Sequence, residues 1–266
     1  MTPQEHAHAA KALLLAEKTG KQTGILTLIH PDMGMDDAYA IQNEIFSTKL
    51  NQGHHVIGWK IGLTSKAMQS ALNIDIPDSG ILFDNMMFQH GESISAGRFI
   101  QPRIEAEIAF VMKEAIGGKS VNRDDVIAAT DFVAPAIEIL DTRIVRVDAQ
   151  TGNVRKVFDT ISDNAANAGI VLGSERHTID SVDLRWVGAV VSRDDEVEET
   201  GLGAGVLNDP IESVVWLARR MAQYEQSIEP GHVVLSGSFI RPVECPAGSR
   251  IHADFGDFGS VDVAFK

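Results

Sequence analysis

Residues 103–110, RIEAEIAF, alternate without interruption between two kinds of side chain. A period of two is a strand's, so this part of the chain is committed to a sheet with one apolar face. Ile104, Ala106, Ile108 and Phe110 fall on that face, and Arg103, Glu105 and Glu107 on the other. Same-face neighbours on a strand lie roughly 7 Å apart, close enough for the two carboxylates to repel each other. Two readings accommodate them. An antiparallel strand with one wet face ordinarily carries charges there. Alternatively, a cation sits between the carboxylates, which calls for a third acidic ligand elsewhere in the chain.

A candidate third ligand stands in FVAPAIEIL, residues 132–140, where Glu138 is the only charge in an apolar run. Such a run reads as a buried strand. An ionised carboxylate there is costly unless it is paired. Glu138 is therefore either bridged to Arg143 or Arg103, or it completes a set with Glu105 and Glu107. Three carboxylates plus water suit a hard divalent ion: Mg²⁺, with Mn²⁺ as a substitute. No zinc-type cluster competes. The nine histidines are scattered, and His54 and His55 are adjacent rather than one helical turn apart.

A second constellation lies in GWKIGLTSKAMQ, residues 58–69, where Lys60 falls inside a strand-like run. A lysine partly buried there can have a lowered pKa and act as acid or base; on the surface its stem would snorkel. PDSG, residues 77–80, predicts Asp78 in a turn after Pro77. FDTISDNAANAG, residues 158–169, reads as a loop whose small and amide residues could order backbone around a ligand. LSGSFIRP, residues 235–242, ends a strand with small hydroxyls, and Ser238 could meet a substrate carboxylate there. Turn chemistry alone accounts for either stretch equally well.

Residues 3–19 are predicted helical, with Gly20 as the stop, and residues 36–52 helical up to Gly53. From about residue 55 short apolar runs are punctuated by Gly, Pro and Asp. Strands are predicted near 56–61, 80–83, 103–112, 132–140, 169–172, 184–192, 232–236, 249–255 and 259–265. Hairpins are expected around Asp194 and Asp195, and between Gly256 and Gly259. One late helix is well signalled: Asp209 as N-cap, Pro210 at its first position, then a stripe of Val214, Leu217, Ala218 and Met221. The expected class is α+β, with a small helical part over residues 1–54 and a strand-rich body over 55–266. The boundary moves later if SKAMQSAL belongs to the first part.

The 266 residues, 44% of them hydrophobic, suffice for one large domain or a domain with an appendage. A net charge of −14 argues against nucleic acid or an anionic membrane as partner. An anionic small molecule stays open, because local cations can dominate a pocket. The single cysteine, Cys245, excludes an internal disulfide framework and reads as a packed or edge residue. The start lacks a basic n-region, and no stretch approaches the ~20 apolar residues of a membrane span. A soluble cytoplasmic protein is the expectation.

GWKIGLTSKAMQ, QPRIEAEIAF, APAIEILDTR and KVFDTISDNAANAG, in this order and spacing, resemble the hydratase/decarboxylase branch of the fumarylacetoacetate hydrolase superfamily. The resemblance covers nearly the whole chain, including the final GSVDVAF. It implies a mixed β-roll or barrel body, a Mg²⁺ or Mn²⁺ ion, and a symmetric homo-oligomer, with a decamer as the family precedent. It implies Glu105, Glu107 and Glu138 as metal ligands, Lys60 and Asp78 as the catalytic pair, and Ser238 as the hydroxyl near the substrate. RVDAQTGN and RKVFDTISDNAANAG are most similar to the branch members that hydrate a seven-carbon substrate, a 2-oxo-heptenedioate formed through its 2-hydroxydienoate tautomer in aromatic catabolism. The far carboxylate of such a dicarboxylate needs a cation. Arg155 and Lys156 beside this segment are candidates, as are Arg143 and Arg146. The rivals are a 4-oxalocrotonate-type decarboxylase, a 2-oxopent-4-enoate hydratase, and a non-catalytic subunit retained for assembly with a partner enzyme. C–C bond hydrolysis is disfavoured, since no motif supplies a histidine–glutamate pair to activate water.

Overall fold

The structure, a computed structural model, describes residues 1–266 except 67, 68 and 71–73. The alternative boundary at SKAMQSAL falls on this stretch and lies outside the described residues. Helix α1 (Pro3–Thr19) starts at a reciprocal capping box between Thr2 and Glu5 and stops at Gly20, whose φ is 68°. After the single turn α2 (Leu26–Ile29) comes α3 (Met35–Asn51). Ala9, Ala10 and Leu13 of α1 pack with Ala38, Ile41 and Ile45 of α3. The same cluster takes in Ile144 and Ile161 from far along the chain, so the first helices are docked on the strand-rich body.

The larger sheet contains β1 (Val56–Gly62), β2 (Asp78–Phe83), β3 (Met87–Phe88), β5 (Arg103–Met112), β6 (Thr130–Leu140), β7 (Asn167–Leu172), β10 (Val233–Leu235) and β11 (Val243–Glu244). Its order is β2-β1-β10-β5-β6-β7-β3, with β11 paired to β5 off that path. The smaller sheet runs β4-β13-β12-β8-β9, formed by β4 (Glu92–Ile94), β8 (Gly188–Arg193), β9 (Glu196–Leu202), β12 (Arg250–Asp254) and β13 (Ser260–Phe265). Pairing is mostly antiparallel; β1 with β10, β3 with β7 and β4 with β13 are parallel. Helix α4 (Arg123–Ala129) precedes β6, α5 (Val157–Ser162) precedes β7, and α6 (Pro210–Met221) precedes β10. The sheets curl, and the architecture is the expected α+β roll.

The alternation in β5 divides the molecule's interior. Ile104, Ala106, Ile108 and Phe110 enter the main core with Ile251, Val261, Val263 and Phe265 of the smaller sheet and Val214, Leu217, Ala218 and Met221 of α6. A fully buried side chain of this kind contributes about 1.5–3 kcal/mol. On the other face, Ala109 joins Leu82, Ala136, Ile170, Val233 and Leu235 in a smaller apolar cluster. Glu105 and Glu107 lie on that inner face, further along the strand.

Most predicted elements stand where the sequence puts them. Helix α6 has Pro210 at its first turn, and Asp209 accepts from the amide of Ile211. Asp194 and Asp195 both have positive φ, 52° and 71°, as the β8–β9 hairpin demands. Three expectations need correction. Residues 184–186 form a 3-10 turn capped by the Asp183 side chain, and the strand begins only at Gly188. Residues 158–169 are not a loop: they finish α5, cross a short left-handed turn and open β7. Asp78 is not in a turn; it is the first residue of β2 and is buried. Strand β9 carries Glu196, Glu198 and Glu199 at the sheet's edge and offers no apolar run to read. No helix among the described residues is long and apolar enough to cross a membrane.

Candidate metal and active site

The β5–β6 register sets Glu105 directly opposite Glu138, with Glu107 one inward repeat along. Carboxylate oxygens of the three lie within 4.8 Å of one another. Glu107 and Glu138 are fully buried and Glu105 partly accessible. The arginines that could have bridged Glu138 are engaged elsewhere: Arg143 with Asp163 at 2.5 Å, and Arg103 with Glu244 at 2.7 Å. The cation that does arrive is Lys60, whose Nζ lies 3.5 Å from Glu138 Oε1. Strand β1 delivers it through β10: Lys60 pairs with Leu235, and Leu235 with Ala109, on the carboxylate face.

Asp78 enters from the other side of β1, paired with Gly62. A Cβ on Gly62 would overlap Asp78 Oδ1 and lie 3.1 Å from Lys60 Nζ, so only glycine lets the two strands bring these groups together.

The charges are mutually strained. Burial raises the pKa of Glu105 to about 8, with the charge of Glu138 adding to it and Lys60 opposing. Burial likewise lifts Glu107 well above the usual carboxylate range, and raises Glu138 and Asp78 against the pull of Lys60. For Lys60 the outcome reverses the sequence expectation. Burial alone would lower its pKa, but Glu138, then Asp78, Glu105 and Glu107, hold the ammonium charged and raise it.

The residues fit a divalent cation. Glu107 Oε1, both oxygens of Glu138 and Asp78 Oδ1 are buried without a hydrogen-bond partner. Native interiors rarely leave such atoms unsatisfied. An all-oxygen donor set of three carboxylates is what Mg²⁺ or Mn²⁺ takes, with positions left for water and substrate. The second oxygen of Glu107 accepts the amide of Gly237 at 2.6 Å, which orients the carboxylate.

Other predicted residues fall at varying distances from this centre. Ser238 follows Gly237, but its hydroxyl donates to the carbonyl of Ile240 at 2.9 Å and accepts the Ile240 amide at 3.2 Å. Arg155 is half-buried and donates to Thr142 Oγ1; Lys156 is exposed. Arg143 belongs to a closed structural cluster, donating to the Asp163 side chain and to the carbonyls of Asp163 and Asn167. Cys245 is packed, and burial pushes its thiol up to about 12, outside nucleophilic use.

Two contributors escaped the sequence reading. Gly237 has φ 114°, and a Cβ there would lie 2.5 Å from Thr64 Oγ1; its signal was the glycine in LSGS, overshadowed by its serines. Asn164 accepts the amide of Ile81 at 2.8 Å and donates to its carbonyl at 2.9 Å, clamping β2. Its neighbour Ala165 sits over Gly80 beside the Lys60 stem. Asn164, Ala165 and Ala166 are all left-handed, at φ 53°, 52° and 61°. Backbone strain of this kind persists where the surroundings over-determine it. The small and amide residues of this stretch thus order backbone around the lysine's strand.

No family model matches the chain. It is 46% identical over 263 residues to 2-oxo-hept-4-ene-1,7-dioate hydratase from Escherichia coli, covering 98% of both chains. It is 38% identical over 266 residues to 2-keto-4-pentenoate hydratase from Paraburkholderia xenovorans, covering 100% of this chain and 97% of the other. Among solved structures it matches 4-oxalocrotonate decarboxylase from Pseudomonas putida G7, complexed with magnesium and adipate, with a TM-score of 0.93 at 31% identity, covering 100% and 99%. The metal-ready carboxylates, the curled sheets and these full-length likenesses agree: the chain belongs to the hydratase/decarboxylase branch of the fumarylacetoacetate hydrolase superfamily.

Proposed function

We propose that this chain is a Mg²⁺-dependent hydratase that adds water to 2-oxo-hept-4-ene-1,7-dioate, reached through its 2-hydroxydienoate tautomer, giving 4-hydroxy-2-oxoheptanedioate. The observation that carries the reading is the set of buried, unpartnered carboxylate oxygens of Glu107 and Glu138 facing Glu105 beside a charged lysine. The 46% identity to a hydratase with this substrate in its name supports the choice of substrate. Glu105, Glu107 and Glu138 would hold the ion, with Mn²⁺ as a substitute. When bound, it would supply Lewis-acid stabilisation of negative charge at the substrate's C2 oxygen.

The chain's own groups handle the protons. The dienol must lose its 2-OH proton and gain one at C5, and then take hydroxyl from water at C4 and a proton at C3. Lys60, whose ammonium stands beside Glu138, would be the donor, and Asp78, its pKa raised by burial, would take a proton from water. Acid–base help of this kind contributes about 10²–10⁴-fold. Gly237 fixes Glu107, and Ser238 steadies the Gly237 turn through its bonds to Ile240. The same reading has the helical part to residue 54 and the body from residue 55 assembled into a homo-oligomer in the cytoplasm.

A decarboxylase is the second reading, favoured by the 0.93 TM-score to one. The test separates them. Chelator-stripped protein receives 2-hydroxyhepta-2,4-diene-1,7-dioate with and without Mg²⁺, and diene absorbance and CO₂ are followed together. Metal-dependent loss of the diene without CO₂ is expected. Stoichiometric CO₂ moves the assignment to a decarboxylase. No turnover with any divalent ion points to a non-catalytic partner subunit.

A further inference from the structure

Resting on the hydratase reading, we infer that Arg155 and its cross-strand neighbour Arg146, the latter joined to Arg103 through Glu244, form the subsite that binds the substrate's far carboxylate and so selects a dicarboxylate. The sequence RVDAQTGNVR, residues 146–155, begins and ends in arginine. It closes as a hairpin: Val147 bridges Val154, and the amide of Arg155 donates to the carbonyl of Arg146 at 3.0 Å. Asp148 ties its tip by accepting the Thr151 amide at 2.8 Å. Two arginines at the two ends of this segment are thereby made cross-strand neighbours.

The hairpin's base lies at one end of the carboxylate site. Arg155 donates to Thr142, just past the end of β6, the strand that carries Glu138. Arg146 and Arg103 share one oxygen of Glu244, at 2.8 and 2.7 Å. Arg103 pairs with Leu140, two rungs from the Glu105–Glu138 rung and on the same face as Glu105. That is roughly 7 Å of strand, about the reach of an extended seven-carbon diacid whose other end is held at the glutamates.

Exposure falls in the same direction, from Arg103 and Glu105, both half-buried, to the fully buried Glu107. The site therefore opens at its arginine end. Two guanidinium groups share the single carboxylate of Glu244 here, and Arg155, the cross-strand neighbour of Arg146, has no carboxylate bonded to it among the described residues, in a chain whose net charge is −14. Arg146 Nε is buried with no hydrogen-bond partner, a donor still to be met. An anion fits this deficit, and a second carboxylate is the anion the substrate brings. Lys156, exposed at the start of α5, and Arg143, closed on Asp163, are not part of the group.

The test compares two substrates on one metal-loaded enzyme: the seven-carbon 2-hydroxyhepta-2,4-diene-1,7-dioate and the five-carbon 2-hydroxypenta-2,4-dienoate, which lacks the far carboxylate. Arg155→Gln and Arg146→Gln should each lower the diacid-to-monoacid ratio of kcat/KM by about 10–100-fold, the worth of a charge-assisted pair, chiefly through the diacid KM. Arg155→Lys should recover part of that loss. Glu244→Gln, which removes the competing carboxylate, should move the ratio the other way. Equal losses on both substrates, or an unchanged ratio, overturn the subsite while leaving the hydratase reading intact. A wild-type enzyme that turns over neither substrate with any divalent ion overturns the hydratase reading and the subsite with it.

Discussion

Two of the buried clusters of charge among the described residues are finished differently. Around Arg143 the charged groups close on their neighbours: its backbone amide and Nε donate to the Asp163 carboxylate, and Nη2 to the carbonyls of Asp163 and Asn167. Around Glu138 almost nothing closes. Both of its oxygens lack a hydrogen-bond partner, and Lys60 stands at 3.5 Å, an ion pair at arm's length. Burial is comparable, so solvent exposure does not separate the two. Satisfaction does. A closed cluster holds the fold together, whereas an open one of like charges tolerates burial because something else is meant to enter.

The sharpest break between them is in activity. Glu138→Gln should lower kcat/KM by about 10³-fold or more, since the several kcal/mol of charge stabilisation from a bound ion are lost with the ligand. Thermal stability of the metal-free protein should hold or rise, because a like-charge neighbour has gone. A calorimetric titration with Mg²⁺ alongside the melting curve reads both at once, and a variant that melts earlier yet binds the ion would reverse the distinction.

Arg143→Met should do the opposite. It leaves Asp163 buried without its partner, and denaturant unfolding should show a loss of about 3–5 kcal/mol. The folded fraction should still bind the ion. Gly237→Ala tests the join between cluster and scaffold. The new Cβ meets Thr64 at a φ of 114°, at a cost of about 1–3 kcal/mol, and pulls an amide from Glu107. Metal affinity should fall about tenfold, the usual effect of losing an outer-shell bond.

The smallest effect is one of sign. In the metal-free fold Glu105 titrates at about 8, against an ordinary 4.5. The fold holds a proton that the unfolded chain releases, so this contribution is full below the unfolded value and is lost as pH rises toward 8. Mg²⁺ requires the ionised carboxylate. The gap in Tm between metal-loaded and chelator-treated protein should therefore widen from about pH 5 to pH 8; a gap that narrows would mean that Glu105 is ionised without the metal.

The same contrast explains what the sequence could and could not disclose. Glu138 was legible because a lone charge in an apolar run has to be accounted for, and β5 because nothing but a strand serves its alternation. Both needed only local pattern. Lys60 was legible as a strand residue, but the direction of its pKa was not, because that depends on four carboxylates brought from β2, β5 and β6. Asp78 was placed in a turn by Pro77, and only pairing with Gly62 reveals a strand. Gly237 acts through its backbone amide, so its only mark in the sequence is the glycine of LSGS, and the bond to Glu107 that gives it meaning shows only in the fold. The two arginines of the 146–155 hairpin look unrelated in sequence until the bridge between Val147 and Val154 makes them neighbours.

The most direct measurement is a Mn²⁺ titration of chelator-stripped protein followed by electron paramagnetic resonance, comparing wild type with Glu138→Gln and Arg143→Met. The account predicts a single saturable site per chain in the wild type and in Arg143→Met, and its loss in Glu138→Gln. Saturable binding that survives in Glu138→Gln, or none in the wild type, would contradict the claim that the open carboxylates are a metal centre.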